Sequence, residues 1–241
     1  MAEPGAIVLD GVVFRYEDMT MSFDLVVPAR AFLALIGPSG AGKTTLLSLI
    51  AGFERPERGR VRIGDVDVTD LAPAARPVTT LFQEHNLFAH LDVAANVGLG
   101  IDPGLRLNTA DHARLAAALA RVGLAGLEHR LPGQLSGGQR QRAALARSLV
   151  RDRPVLLLDE PFAALGPALR REMLDLVQDI RRERGLTVLL VSHQPEDARH
   201  AAAFAAFVQD GKILRMAPTA ELFASDDLPE LSEYLGVSGV K

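Results

Sequence analysis

Hydrophobic residues along the chain fall into two rhythms. Near the N-terminus they come in short pieces that alternate with polar residues. Ile7-Val8-Leu9, Val12-Val13-Phe14 and Phe23-Asp24-Leu25-Val26 sit between turn signals and predict short antiparallel strands. Ala31–Ile36 is different: six apolar residues run without a break and stop at Gly37. Such a run suits a strand buried on both faces. A helix is predicted from near Gly42 through Leu46, Leu47 and Ile50 to Gly52, and Val61–Val68 alternates again around Gly64-Asp65. Val155–Leu158 and Leu186–Val191 are two more buried strands. Between them, Pro167–Arg184 places Leu169, Met173, Leu176, Val177 and Ile180 on one helical face, with a proline at its start and Gly185 just past its end. Buried strands alternating with helices make this an α/β fold with a mostly parallel sheet covered on both faces.

Residues 84–150 depart from that pattern. Ala, Leu and Arg recur at helical spacing, as in Ala113–Val122, broken by Asp102-Pro103-Gly104 and Leu131-Pro132-Gly133. They predict a helical insertion. Residues 216–241 are expected to form short terminal helices. No repeat or low-complexity linker divides the 241 residues, which fits a single domain.

Composition excludes several functions. Hydrophobic residues make up 48% and charged ones 23%, enough for a sizeable core. There is no cysteine, so disulfides, thiolate zinc and thiol catalysis are ruled out. A net charge of −4 argues against nucleic acid as a partner. The longest strictly apolar runs, such as Ala201–Val208, fall far short of the roughly 20 residues of a membrane span. The first residues lack a basic and apolar leader, so a cytoplasmic protein is expected.

Three stretches carry chemistry. Gly37-Pro38-Ser39-Gly40-Ala41-Gly42-Lys43-Thr44, followed by Thr45, fits the pattern G-x-x-x-x-G-K-[ST] in full, between a buried strand and a helix. Glycines let backbone amides turn inward around a phosphate chain, and the helix N-terminus adds a positive dipole. Lys43 would reach the β- and γ-phosphates, and Thr44 would ligate Mg²⁺. A glycine-rich turn with a surface lysine is the plainer alternative, but lysine occurs only at 43, 212 and 241. The strand Val155–Leu158 ends in Asp159-Glu160, and ligands gather at the carboxyl ends of such strands. Asp159 suits the metal shell, and Glu160 suits polarising the water that attacks the γ-phosphate. Lastly, Ser136-Gly137-Gly138-Gln139 opens a helix, with Ser136 and Gln139 at capping-box spacing. It reads equally as a helix start or as a second anion site made of free amides and the helix dipole.

Together these stretches resemble the ATP-binding cassette family, whose signature LSGGQ is matched letter for letter by Leu135–Gln139. The resemblance covers nearly the whole chain. It implies a P-loop NTPase with a RecA-like core, an N-terminal antiparallel β subdomain and the inserted helical subdomain. It identifies Gln83 as the glutamine that senses γ-phosphate and metal, His193 as the switch histidine on the γ-phosphate, and Tyr16 as the aromatic stacked on adenine. Catalysis would then rest on Glu160, His193 and Gln83, and Mg²⁺ on Thr44, Asp159 and Gln83. It further implies a head-to-tail homodimer with each ATP between the phosphate loop of one copy and the Ser136 loop of the other. Separate membrane permease subunits and a periplasmic or extracellular substrate-binding protein complete the expected machine, on the cytoplasmic face of a bacterial inner membrane. The stretches Leu46–Phe53, Leu81–Leu91, Asn96–Gly100 and Pro103–Asn108 are similar, within the family, to the ATPase subunits of thiamine importers. No C-terminal regulatory domain is expected after His193. Two departures stand out. Gly166 occupies the place of the family's usual aspartate, which takes part in contacts across the dimer. Pro28-Ala29-Arg30-Ala31 lacks the usual Gly-Glu pair, which predicts a local change of turn.

Overall fold

The computed structural model describes residue 3 and residues 5–17, 19–82 and 87–236. The chain opens with a hairpin, β1 (Ile7–Tyr16) and β2 (Met19–Val27), joined later by β4 (Arg58–Ile63) and β5 (Val66–Asp67), all antiparallel. Alternation does its usual work: Ile7, Leu9, Val61 and Ile63 turn inward, while Arg58, Arg60 and Arg62 face water. A bulge interrupts the hairpin after Leu9, where the Gly11 amide donates to the Asp24 carboxylate at 2.7 Å.

Between these pieces lie β3 (Phe32–Ile36) and the helix α1 (Lys43–Ala51). The remaining elements follow in chain order: β6 (Val78–Leu81), α2 (Val93–Gly98), α3 (Thr109–Arg121), α4 (Gly137–Leu149), β7 (Val155–Asp159), α5 (Pro167–Arg184), β8 (Thr187–Val191), α6 (Pro195–Ala201), β9 (Phe204–Gln209), β10 (Lys212–Pro218), α7 (Thr219–Ala224) and α8 (Pro229–Tyr234). One ten-stranded sheet runs β5-β4-β1-β2-β10-β9-β3-β8-β7-β6. Its half from β9 to β6 is parallel.

β3 lies in the middle of this parallel half, which explains its unbroken apolar run. Phe32, Ala34 and Ile36 enter a core shared with α4 and α5, whereas Leu33 and Leu35 enter a second core shared with α1 and the N-terminal strands. All five are fully buried. Each large side chain so placed contributes roughly 1.5–3 kcal/mol of transfer free energy.

Several expectations need correction. Residues 216–218 complete the strand β10, so the terminal helices begin at Thr219 rather than at 216. The run Ala201–Val208 ends α6 and then becomes β9, which sits next to β3. The sequence pattern does not predict β9, because the five alanines of that run carry no period of two, and it does not predict β10 either. β6 was missed as well; it has only four residues. At Pro28–Ala31, Arg30 takes a left-handed φ of 61°, its amide donating to Thr187 Oγ1 at 2.8 Å and its carbonyl receiving the Arg181 guanidinium.

Candidate active site

The loop between β3 and α1 turns on glycines. Gly37 (φ 145°), Gly40 (78°) and Gly42 (99°) all adopt conformations costly for other residues. Gly37 has a second reason: a Cβ there would lie 2.0 Å from the Val208 carbonyl oxygen of β9. The adjacent strand therefore presses the loop from behind. α1 starts at Gly42 with no side-chain cap, which leaves its first amides free for a ligand.

Lys43 is 4% exposed. Its ammonium donates to the carbonyls of Gly37 and Pro38, both at 2.7 Å, so it folds back across the loop. Burial pushes its pKa below the ordinary value, against the pull of Glu160 and Asp159. At the foot of α1 the Thr44 hydroxyl donates to Asp159 Oδ1 at 3.0 Å. Burial pushes the Asp159 carboxyl up and Glu160 adds to the effect, while Thr44, Lys43 and His193 oppose it. A desolvated carboxylate beside a hydroxyl is a pair of hard oxygen donors in want of a cation. Among the described residues no three His, Cys, Asp or Glu side chains form a metal cluster. The donor set fits Mg²⁺, which takes one or two protein oxygens and completes its shell with phosphate oxygens and water.

Glu160 follows β7 with φ 48°, an unusual conformation for a non-glycine residue. Its amide donates to the Val191 carbonyl at 3.1 Å, and its carboxylate pairs with His193 Nε2. The loop after β8 thus holds the histidine against the glutamate. Behind it, Ser192 Oγ donates to Asp197 at 2.5 Å and accepts the Gln194 amide at 3.0 Å. Pro161, next after Glu160, accepts a 2.8 Å hydrogen bond from Gln141 of α4, a buried residue whose Oε1 has no partner.

These residues line one cleft of about 510 Å³, bordered by Tyr16, Ser39–Thr45, Glu160 and His193. Tyr16 is 58% exposed at its mouth. Met19 and Met21 also line it. Reading the sequence missed them, since an apolar residue carries no chemical signature; their position two and four residues beyond Glu17 on the hairpin was the only clue. Ser136, Gly137, Gly138 and Gln139 stand apart from this cleft. Gln139's amide donates to Ser136 Oγ at 3.2 Å and Ser136's amide to Gln139 Oε1 at 2.9 Å, so the capping box is formed. Gln83, expected at the end of β6, lies outside the described residues.

A phosphate loop on a parallel sheet, with an acid pair at the end of β7 two strands away and a glycine-rich helix start apart from the cleft, defines a class of nucleotide hydrolase. The sequence profile of the ABC transporter family matches residues 20–163, and the chain belongs to that family, as its ATPase domain. The thiamine import ATP-binding protein ThiQ of Chelativorans sp. strain BNC1 is 55% identical over 97% of this chain and 96% of its own length. That of Rhizobium meliloti strain 1021 is 50% identical over 97% and 98%. Among solved structures, a dimeric post-hydrolysis state of the ATP-binding cassette MJ0796 bound to ADP and Pi superposes with a TM-score of 0.75 at 27% identity. It covers 88% of this chain and 98% of the other. Among the described residues no helix is long and apolar enough to cross a membrane.

Proposed function

We propose that the chain is the energy-coupling ATPase subunit of a thiamine importer. Two copies pack head to tail, and each of two ATP molecules is gripped by the phosphate loop of one and the Ser136 helix of the other. One observation carries this reading. The cleft offers the amides of a phosphate loop from one side only, while the helix N-terminus at Ser136–Gln139, with Ser136 exposed and Gly137 half-exposed, contributes nothing to that cleft. A second copy supplies the missing side. The dimeric cassette neighbour and the relatives named for thiamine import support the same arrangement.

In this reading Tyr16 stacks on adenine, and the amides of Gly37–Thr45, with the Lys43 ammonium, hold the β- and γ-phosphates. Mg²⁺ supplies charge neutralisation at the phosphates when bound; Thr44 and Asp159 hold it, joined by Gln83. Glu160 accepts the proton of the attacking water. His193 pairs with Glu160, so that pair must part for both groups to serve the γ-phosphate and the attacking water. The freed imidazole then meets the phosphate and the freed carboxylate meets water. ATP thereby closes the dimer, and hydrolysis releases it.

The machine would sit on the cytoplasmic face of a bacterial inner membrane. There it drives permease subunits served by a periplasmic or extracellular binding protein, with 1–241 acting as one ATPase domain and 84–150 as its helical part. The test is ATPase activity in proteoliposomes holding the permease complex. Thiamine-loaded binding protein should stimulate turnover above the unloaded protein; equal stimulation by an unrelated cargo would place the subunit with another small-molecule importer.

A further inference from the structure

The helix α8 ends at Tyr234, far in sequence from every residue placed in the site above. Its phenol oxygen nonetheless reaches that site. The hydroxyl donates to the His193 carbonyl at 3.3 Å. The ring packs against Phe207 of β9, with centroids 5.6 Å apart. Phe207 pairs with Ile36, the residue before Gly37, and its neighbour Val208 is the one whose carbonyl presses on Gly37. The helix itself is anchored by Leu231, which is 1% exposed, and the segment leading to it is tied down by Arg215 on Asp227 at 2.6 Å.

We infer that Tyr234 is a positioning residue for ATP hydrolysis, a bridge from α8 to the backbone of His193 that sets how far the histidine stands from the γ-phosphate. The inference rests on the role given to His193 above. His193 is held from two sides. Its imidazole is on Glu160, a contact that nucleotide must break; its carbonyl is on Tyr234, a contact that nucleotide leaves alone. When the imidazole is released, the Tyr234 bond keeps the backbone in place, so the ring swings about a fixed point instead of drifting with its loop. Because the Tyr234 ring packs on Phe207, which pairs with Ile36 and adjoins the Val208 that presses on Gly37, the fixed point is referenced to the loop that holds the phosphates. A methionine or leucine could fill the same space against Phe207, but neither could make the bridge.

Tyr234→Phe keeps the ring and deletes only the bridge. One lost hydrogen bond of this kind corresponds to about a three- to tenfold fall in kcat. The expected result is that fall with the KM for ATP unchanged, since nucleotide affinity resides in the phosphate loop. Made in a His193→Ala background, Tyr234→Phe should lower the residual turnover no further, because it acts through the histidine. Parental kcat in Tyr234→Phe overturns the inference. So does a lowered melting temperature with kcat untouched, which marks a purely structural bond, and so does an equal proportional loss in the His193→Ala background. Should His193→Ala itself turn over at the parental rate, the reading of the site fails, and the inference falls with it.

Discussion

Glycines stand at the start of both α1 and α4, and they do so for different reasons. α1 starts at Gly42 in a left-handed conformation without any side-chain cap, behind a loop whose Gly37 is forced by the Val208 carbonyl. α4 starts at Ser136 in extended backbone with a complete capping box, and its glycines are helical. Of the latter pair, Gly138 is the more crowded by its own chain: a Cβ there would lie 2.7 Å from the end of the half-buried Leu169 side chain of α5, which would have to move aside. Gly137 is not, for the nearest atom would be an Arg140 nitrogen at 3.9 Å. A helix glycine costs roughly 0.5–1 kcal/mol relative to alanine. A glycine that nothing in its own chain needs, at an exposed helix N-terminus, marks space kept for something outside the chain. In the arrangement proposed above, the first helix closes on nucleotide from within and the second on a neighbour's.

The largest effect expected from this contrast is at the acid after β7. Glu160→Gln keeps the hydrogen bonds of the cleft but removes the proton acceptor, so turnover should fall at least about a hundredfold. ATP binding should persist, and a nucleotide-bound dimer should accumulate, visible by light scattering at saturating ATP. Hydrolysis at the parental rate would remove Glu160 from the role of base. Next comes the inner grip. Lys43 is buried and makes charged hydrogen bonds, each worth about 1.5–3 kcal/mol. Lys43→Ala should therefore weaken ATP binding by at least about tenfold in a calorimetric titration. Unchanged affinity would mean the loop does not hold the phosphates.

The outer grip separates its two glycines. Gly138→Ala pushes a methyl onto the end of the Leu169 side chain, which must move aside, and should destabilise the chain by about 1 kcal/mol at most, less the helix propensity gained. That appears as a melting temperature lower by no more than about 2–4 °C. Gly137→Ala should do the reverse. It gains propensity, so the melting temperature holds or rises, yet ATP hydrolysis falls about tenfold because the methyl enters the face offered to the partner's nucleotide. If Gly137→Ala leaves turnover intact, the second helix is only a helix start, and the contrast disappears.

That contrast was half legible beforehand. The buried strands β3, β7 and β8 announced themselves as unbroken apolar runs, since each is covered on both faces. The loop after β3 and the acids after β7 announced their chemistry because phosphate binding demands unusual residues in a fixed order. The structure then brings Thr44 to Asp159 and Glu160 to His193, pairs separated by 115 and 33 positions. β9 escaped notice because Ala205 and Ala206 give no alternation, although this strand supplies the carbonyl that makes Gly37 necessary. Met21 and Tyr234 escaped for another reason. They act by proximity, and proximity between distant positions is a product of topology, not of local pattern.

The smallest effect belongs to Gly166, where relatives of the family usually carry aspartate. It is the N-cap of α5, with φ −64° and ψ 158°, extended backbone that any residue adopts, and it makes no side-chain cap bond. A Cβ there meets nothing within 4 Å. Like Gly137, then, it is a glycine its own chain does not need; unlike Gly137, it stands where a side chain would help, because aspartate at an N-cap can accept a first-turn amide. Gly166→Asp should therefore stabilise the isolated chain by a few tenths of a kcal/mol, a rise of about 1 °C in melting temperature. If the aspartate also links two nucleotide sites across a dimer, as the family resemblance implies, the ATP dependence of hydrolysis should become more cooperative in the same variant. A fall in melting temperature would show that the open space at 166 is used by the chain itself, and the rule drawn from Gly137 would lose its second example.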